Sequence, residues 1–118
     1  MKEPENQSRY PLGGRIWIDG PEGTYLAYGR VVLMERIREH GSISAAARSM
    51  NMSYRHAWEL VESMNKQSLN PVVIKRTGGK GGGGAVLTKA GENAINCFWA
   101  AYHDFQKYLA KYSKRLDL

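Results

Sequence analysis

The side chains able to act on another molecule fall into two short runs. The first is Ser53-Tyr54-Arg55-His56-Ala57-Trp58. Arg55 carries five N–H donors in a rigid planar fork, which matches two acceptors at once on a phosphate or a purine edge. Tyr54 suits a phosphate or a methyl group. Trp58 suits a groove and the margin of a core equally well, and His56 points sideways, toward phosphate or solvent. The second run is Lys75-Arg76-Thr77, continued by Gly78-Gly79-Lys80 and four more glycines to Gly84. Cations and a hydroxyl on a glycine ribbon can hold an anion. None of these groups is arranged to make or break a bond.

Catalytic and metal chemistry find little else. Cys97 is the one cysteine, so neither an internal disulfide nor a cysteine-based zinc site is available, and a reducing cytoplasm is expected. Cys97 reads as a buried or partly buried, inert thiol. His40, His56 and His103 have no metal-ligand spacing, and His103 and Asp104, adjacent on a helix, face different ways. No enzyme, metal or cofactor is expected. Gly79-Lys80 is followed by Gly81 rather than Ser or Thr, so the phosphate-loop signature fails. Gly79, Gly81 and Gly84 fit G-x-G-x-x-G, but that spacing is weak in so glycine-rich a run. It also leads into a strand, without the helix N-terminus that holds a pyrophosphate.

Charge says what kind of anion to expect. The chain carries +6. Between His40 and Gly91 lie Arg48, Arg55, Lys66, Lys75, Arg76, Lys80 and Lys89, opposed only by Glu59 and Glu62, and Ser63 to Gly91 holds no acid. Such a patch favours a polyanion, because each neutralised phosphate releases a condensed counterion. No 18-residue apolar run points to a membrane span, and Met1 to Pro11 is polar, without a secretory core, and reads as a frayed tail.

The elements that must position these groups follow from periodicity and punctuation. Arg15 to Asp19 alternates, Asp19-Gly20-Pro21-Glu22-Gly23 is dense in turn formers, and Thr24-Tyr25-Leu26 is β-prone, which predicts a hairpin with a five-residue loop. A helix is predicted from Gly29 to His40, closed by Gly41. Ser44 is expected to cap a two-turn helix through Ala45-Ala46-Ala47. Asn51-Met52-Ser53 forms the turn, and Ser53 caps a third helix from Tyr54 to about Ser68. Val72 to Arg76 and Ala85 to Leu87 read as strands flanking the glycine loop. Thr88 caps a last helix running to about Leu116.

This order defines a mainly α fold with a small β component: a winged helix-turn-helix with an N-terminal β-hairpin and a long C-terminal helix. Residues 1–14 form the tail, 15–91 the winged domain and 92–118 the remainder of the last helix. In such a fold the helix of residues 53–68 enters the major groove of duplex DNA and the wing of residues 77–84 lies on the backbone or in the minor groove. Ser53, Tyr54, Arg55 and Trp58 are then expected at base edges. Ser44, His56, Lys75, Arg76, Thr77 and Lys80 are expected at phosphates. Ile95, Phe98, Tyr102, Phe105, Leu109, Tyr112 and Leu116 recur at intervals of three and four, a heptad seam expected to pair two copies of the chain as a homodimer. A protein-interaction adaptor, with the aromatic last helix docking a partner, is the alternative; it predicts little duplex binding and no steep salt slope.

Three segments carry a family likeness. Gly41-Ser42-Ile43-Ser44-Ala45-Ala46-Ala47, Met52 to Trp58, and Thr77-Gly78-Gly79-Lys80 through Ala85-Val86-Leu87-Thr88 resemble the N-terminal domain of ModE-type molybdate-responsive regulators. LysR-type winged domains share the Ser-Ala-Ala-Ala run at Ser44 and the Leu-Thr-x-x-Gly run from Leu87 to Gly91. The resemblance extends from about Ile16 into the last helix. It implies a homodimer on a two-fold operator, controlling molybdate uptake or molybdenum-enzyme genes. The family's molybdate-binding region follows the long helix, so molybdate binding is not expected of this chain.

Overall fold

A computed structural model describes residues 8–76 and 83–118. The order is β1 (Ile18–Gly20), β2 (Gly23–Leu26), α1 (Tyr28–His40), α2 (Ile43–Ser49), α3 (Tyr54–Gln67), β3 (Val73–Arg76), β4 (Gly84–Leu87) and α4 (Lys89–Ser113). The architecture is a winged helix-turn-helix with an N-terminal hairpin and a long last helix, as the residue pattern predicts. The first hairpin turns on Pro21 and Glu22 alone, with Gly20 opposite Gly23, so the expected five-residue loop is a two-residue one. β3 and β4 pair antiparallel, from Val73 opposite Leu87 to Arg76 opposite Gly84.

One core joins these elements. Val31, Leu33, Met34 and Ile37 of α1 meet Ala46 and Ala47 of α2, Ala57, Val61 and Met64 of α3, and Ile95 and Phe98 of α4. The alanines let α2 cross α1 and α3 closely. Gly41 closes α1 in the left-handed region at φ 77°, and its amide donates to the Ile37 carbonyl at 2.8 Å.

The start of α2 differs from expectation. Ser42, not Ser44, is the cap: its Oγ accepts from the Ala45 amide at 3.0 Å, and Ser44 lies exposed within the helix. The reason is Ile43. Capping at Ser42 makes Ile43 the first helical residue and turns its side chain into the core.

The turn into α3 is compact. Asn51 takes a left-handed φ of 53°. The Asn51 amide donates to the Arg48 carbonyl at 3.2 Å and the Met52 amide to the Ala47 carbonyl at 2.9 Å. These are the two bonds of a Schellman closure, with asparagine taking the role usual for glycine.

α4 corrects two expectations. It ends at Ser113, so Leu116 lies beyond the helix. Residues 8–14 are also not a free tail. The Leu12 amide donates to Ser113 Oγ at 2.7 Å, Ser8 Oγ donates to the Ser113 carbonyl at 3.3 Å, and Gly14 lies against Phe105 and Leu109. This segment covers the distal end of α4, where Leu109, Ala110 and Ser113 are buried. No helix of the described residues is long and apolar enough to cross a membrane.

Candidate nucleic-acid interface

α3 buries one face and presents the other. Ala57, Val61 and Met64 point into the core, while Tyr54, Arg55, His56, Trp58, Glu59 and Glu62 are exposed. Ser53 Oγ accepts from the His56 amide at 3.1 Å, so this predicted base-contacting residue caps the helix and keeps its O–H donor for another acceptor. The Tyr54 and Arg55 amides precede the first bonded turn, and with the positive end of the helix dipole they favour an anion.

The exposed face is a stripe of alternating charge. The Arg55 side chain is 89% exposed, and its Nε donates to Glu59 Oε1 at 3.1 Å, one turn on. Trp58 sits between the helix and the second hairpin. Lys75 Nζ lies 4.9 Å from its ring centre, a cation–π contact, and 3.8 Å from Glu62 Oε1. Trp58 is therefore neither core nor free: it carries the base of the wing. Arg76 is exposed at the end of β3. Thr77 and Lys80, predicted phosphate contacts, fall outside the described residues.

Polar side chains hold the strands of the second hairpin in place beside α3. Asn65 Oδ1 accepts from the Val72 amide at 2.8 Å, and its Nδ2 donates to the Val73 carbonyl at 2.9 Å. Thr88 Oγ1 donates to the Pro71 carbonyl at 2.6 Å and accepts from the Gly91 amide at 3.0 Å. The Ala85 amide donates to the Gly41 carbonyl at 2.8 Å, which ties β4 to the end of α1. Gly91 answers the last glycine of the Leu-Thr-x-x-Gly run: a Cβ there would collide with the Val72 carbonyl and the Leu87 side chain. Asn65 escaped sequence reasoning because an asparagine late in a helix looks like surface. Its signal is its place just ahead of Asn70-Pro71, where strand amides need acceptors.

At the far end of α3, Gln67 Nε2 donates to the Thr24 carbonyl at 3.0 Å, and Tyr25 Oη and Ser68 Oγ share a 2.7 Å hydrogen bond. The first hairpin thus props α3 from behind. Arg30 of α1 donates to Ser63 Oγ at 3.0 Å, and partial burial lowers its guanidinium pKa from the ordinary value through desolvation.

The seven predicted seam positions do not share one environment. Ile95 and Phe98 lie in the chain's own core, Leu109 is covered by residues 8–14, and Tyr102 and Phe105 are half-buried. Only Tyr112 of the helical members is exposed. The seam breaks because the first half of α4 is needed to close the domain. A different aromatic group bridges α1 and α4: Tyr28 lies 5.3 Å from Trp99 and 5.6 Å from Tyr102, centre to centre, and Trp99 Nε1 donates to Glu35 at 3.1 Å. Cys97, expected to be buried or partly buried, is exposed. Among the described residues no three histidines, cysteines or carboxylates gather where they could hold a metal ion.

An exposed helix, a tight turn before it and a paired hairpin beside it place the molecule in a known class. Residues 29–92 match the family described as bacterial regulatory helix-turn-helix protein, lysR family, and the chain belongs to it. Within that class it is similar to the molybdenum-pterin-binding protein MopB of Rhodobacter capsulatus, 45% identical over 96 residues, covering 81% of this chain and 36% of that protein. It is 35% identical over 103 residues to the molybdenum transport protein ModE of Azotobacter vinelandii, covering 87% of this chain and 38% of the relative. Against the DNA-binding transcriptional dual regulator ModE of Escherichia coli (strain K12) it is 44% identical over 69 residues, 58% of this chain and 26% of that one. The chain thus spans well under half the length of these relatives.

Proposed function

We propose that the protein is a sequence-specific duplex-DNA-binding transcriptional regulator that acts as a homodimer in molybdenum-related gene control. The observation that carries this reading is the exposed first half of α3, with Arg55 free of the core and the cationic wing base braced beside it by Asn65 and Trp58. α3 lies in the major groove with Tyr54, Arg55 and Trp58 toward the bases. His56, Lys75, Arg76, Thr77 and Lys80 follow the flanking phosphates. Ser44 lies on the exposed side of α2, where a hydroxyl reaches a phosphate. The names of the Rhodobacter capsulatus and Azotobacter vinelandii relatives support the molybdenum assignment, and the description of the Escherichia coli relative as a DNA-binding transcriptional dual regulator supports the role in transcription.

Pairing of two copies uses α4. The molecule is elongated, 60 Å by 28 Å by 22 Å, and α4 at 25 residues reaches well past the core. The aromatic surface it offers a partner is Tyr28 at the α1–α4 junction, together with Tyr108 and Tyr112, all exposed. Selection of bound sequences from a random duplex pool tests the whole reading. A consensus with two-fold symmetry is the expected result, and an asymmetric consensus removes the dimer.

The wing base gives a separate test. Arg76 makes a phosphate contact in this arrangement and no base contact. Arg76→Ala is expected to weaken every duplex alike and to reduce the slope of log affinity against log salt by about 0.9. Filter binding from low to moderate salt measures it. An unchanged slope removes Arg76 from the interface.

A further inference from the structure

The DNA-facing stripe of α3 carries two carboxylates, which a surface built only to attract phosphate would lack. Glu59 is 53% exposed in its side chain and holds Arg55 at 3.1 Å; Glu62 lies 3.8 Å from Lys75. Neither acid serves the core, since both point away from Ala57, Val61 and Met64. An exposed ion pair of this spacing contributes little to folding. Its consequence falls on binding. A carboxylate in the middle of a groove is repelled by both phosphate rows, and the donors there that it can accept from are the exocyclic amines of cytosine and adenine, cytosine N4 being its usual partner.

We propose that Glu59 is a specificity-determining residue: it keeps Arg55 paired away from the backbone and releases it only where the base edges offer a guanine to Arg55 and a cytosine amine to Glu59. This inference rests on the reading of α3 as the groove-binding helix. On random duplex Glu59 competes with phosphate for Arg55 and offsets its charge, so the pair adds little to non-specific affinity. On the preferred site both partners exchange one charged contact for another, and the carboxylate is not left unpaired. Discrimination then comes as much from the cost of the wrong sequence as from the attraction of the right one.

The test compares wild type, Glu59→Gln and Glu59→Asp in binding to random duplex across salt and in selection from a random pool. Glu59→Gln removes the charge and frees Arg55 to reach a phosphate. Its salt slope on random duplex is expected to steepen by about 0.9, so that it gains roughly three- to four-fold over wild type between 200 mM and 50 mM salt. Its selected consensus is expected to lose cytosine at one position per half-site, with adenine favoured by the amide. Glu59→Asp keeps the charge and is expected to keep the wild-type slope. An unchanged slope or an unchanged consensus in Glu59→Gln, or a Glu59→Asp protein that behaves like it, overturns the proposal while α3 remains the reading helix. A wild-type chain with no salt-dependent duplex binding overturns both together.

Discussion

Replacing Arg55 with alanine is expected to weaken binding to the preferred duplex roughly 5- to 150-fold, about 1–3 kcal/mol, with the fold intact. The two halves of that expectation come from the same geometry. Among the described residues the guanidinium pairs with Glu59, and its side chain is 89% exposed. Removing it costs folding at most the ~0.2–1 kcal/mol of an exposed ion pair. In the groove, by contrast, a fork that donates twice to guanine has no substitute. Arg55→Lys keeps the charge and loses the fork, so it is expected to retain random-duplex affinity while losing most of the preference at that base pair. Titration of both variants against the selected site and a site mutated at the guanine measures this. An Arg55→Ala protein that binds the selected site as tightly as wild type would show that α3 does not read the sequence.

The prominence of Arg55 was legible from residue types alone, because Ala57, Leu60, Val61 and Met64 set the buried side of α3 and leave residues 54, 55 and 58 opposite. The helix order, the Gly41 stop and the Ser53 and Thr88 caps were legible for the same reason: each rests on interactions within four residues. What escaped depends on distance in sequence. Asn65 bonds to Val72 and Val73, seven and eight positions on, and the Ser8 and Leu12 bonds to Ser113 span 105 and 101 positions. No local pattern reports such pairings. The cap at Ser42 is an intermediate case. Ser42 and Ser44 are equally good caps chemically, and the choice between them is made by burial of Ile43, which only the assembled core decides. The alternating i, i+4 signs of Arg55 and Glu59 stood in the sequence, yet their meaning needed the exposed face.

The heptad seam shows how one local pattern can mix two uses of a helix, since Ile95 and Phe98 serve the chain's own core, and Phe98 puts a number on the difference. Spacing makes Phe98 a pairing residue; the structure makes it the largest fully buried side chain of the domain. Its ring lies 5.4 Å from Trp99 and 6.1 Å from Tyr102, at the place where α4 closes over α1. Phe98→Ala is therefore expected to cost about 3–5 kcal/mol of folding stability through lost transfer energy and the cavity left behind. That is a large part of the roughly 5–15 kcal/mol a domain possesses. Tyr108, exposed beyond the core, carries no such role, and Tyr108→Ala is expected to leave the fold within ~0.5 kcal/mol. Denaturant unfolding at several protein concentrations separates the two uses of the helix. A core residue lowers the midpoint by the same amount at every concentration, whereas a pairing residue acts through mass action and weakens as the chain is diluted. If the Phe98→Ala deficit vanishes on dilution while the monomer stays folded, the buried half of α4 belongs to the dimer after all, and the domain must close without it.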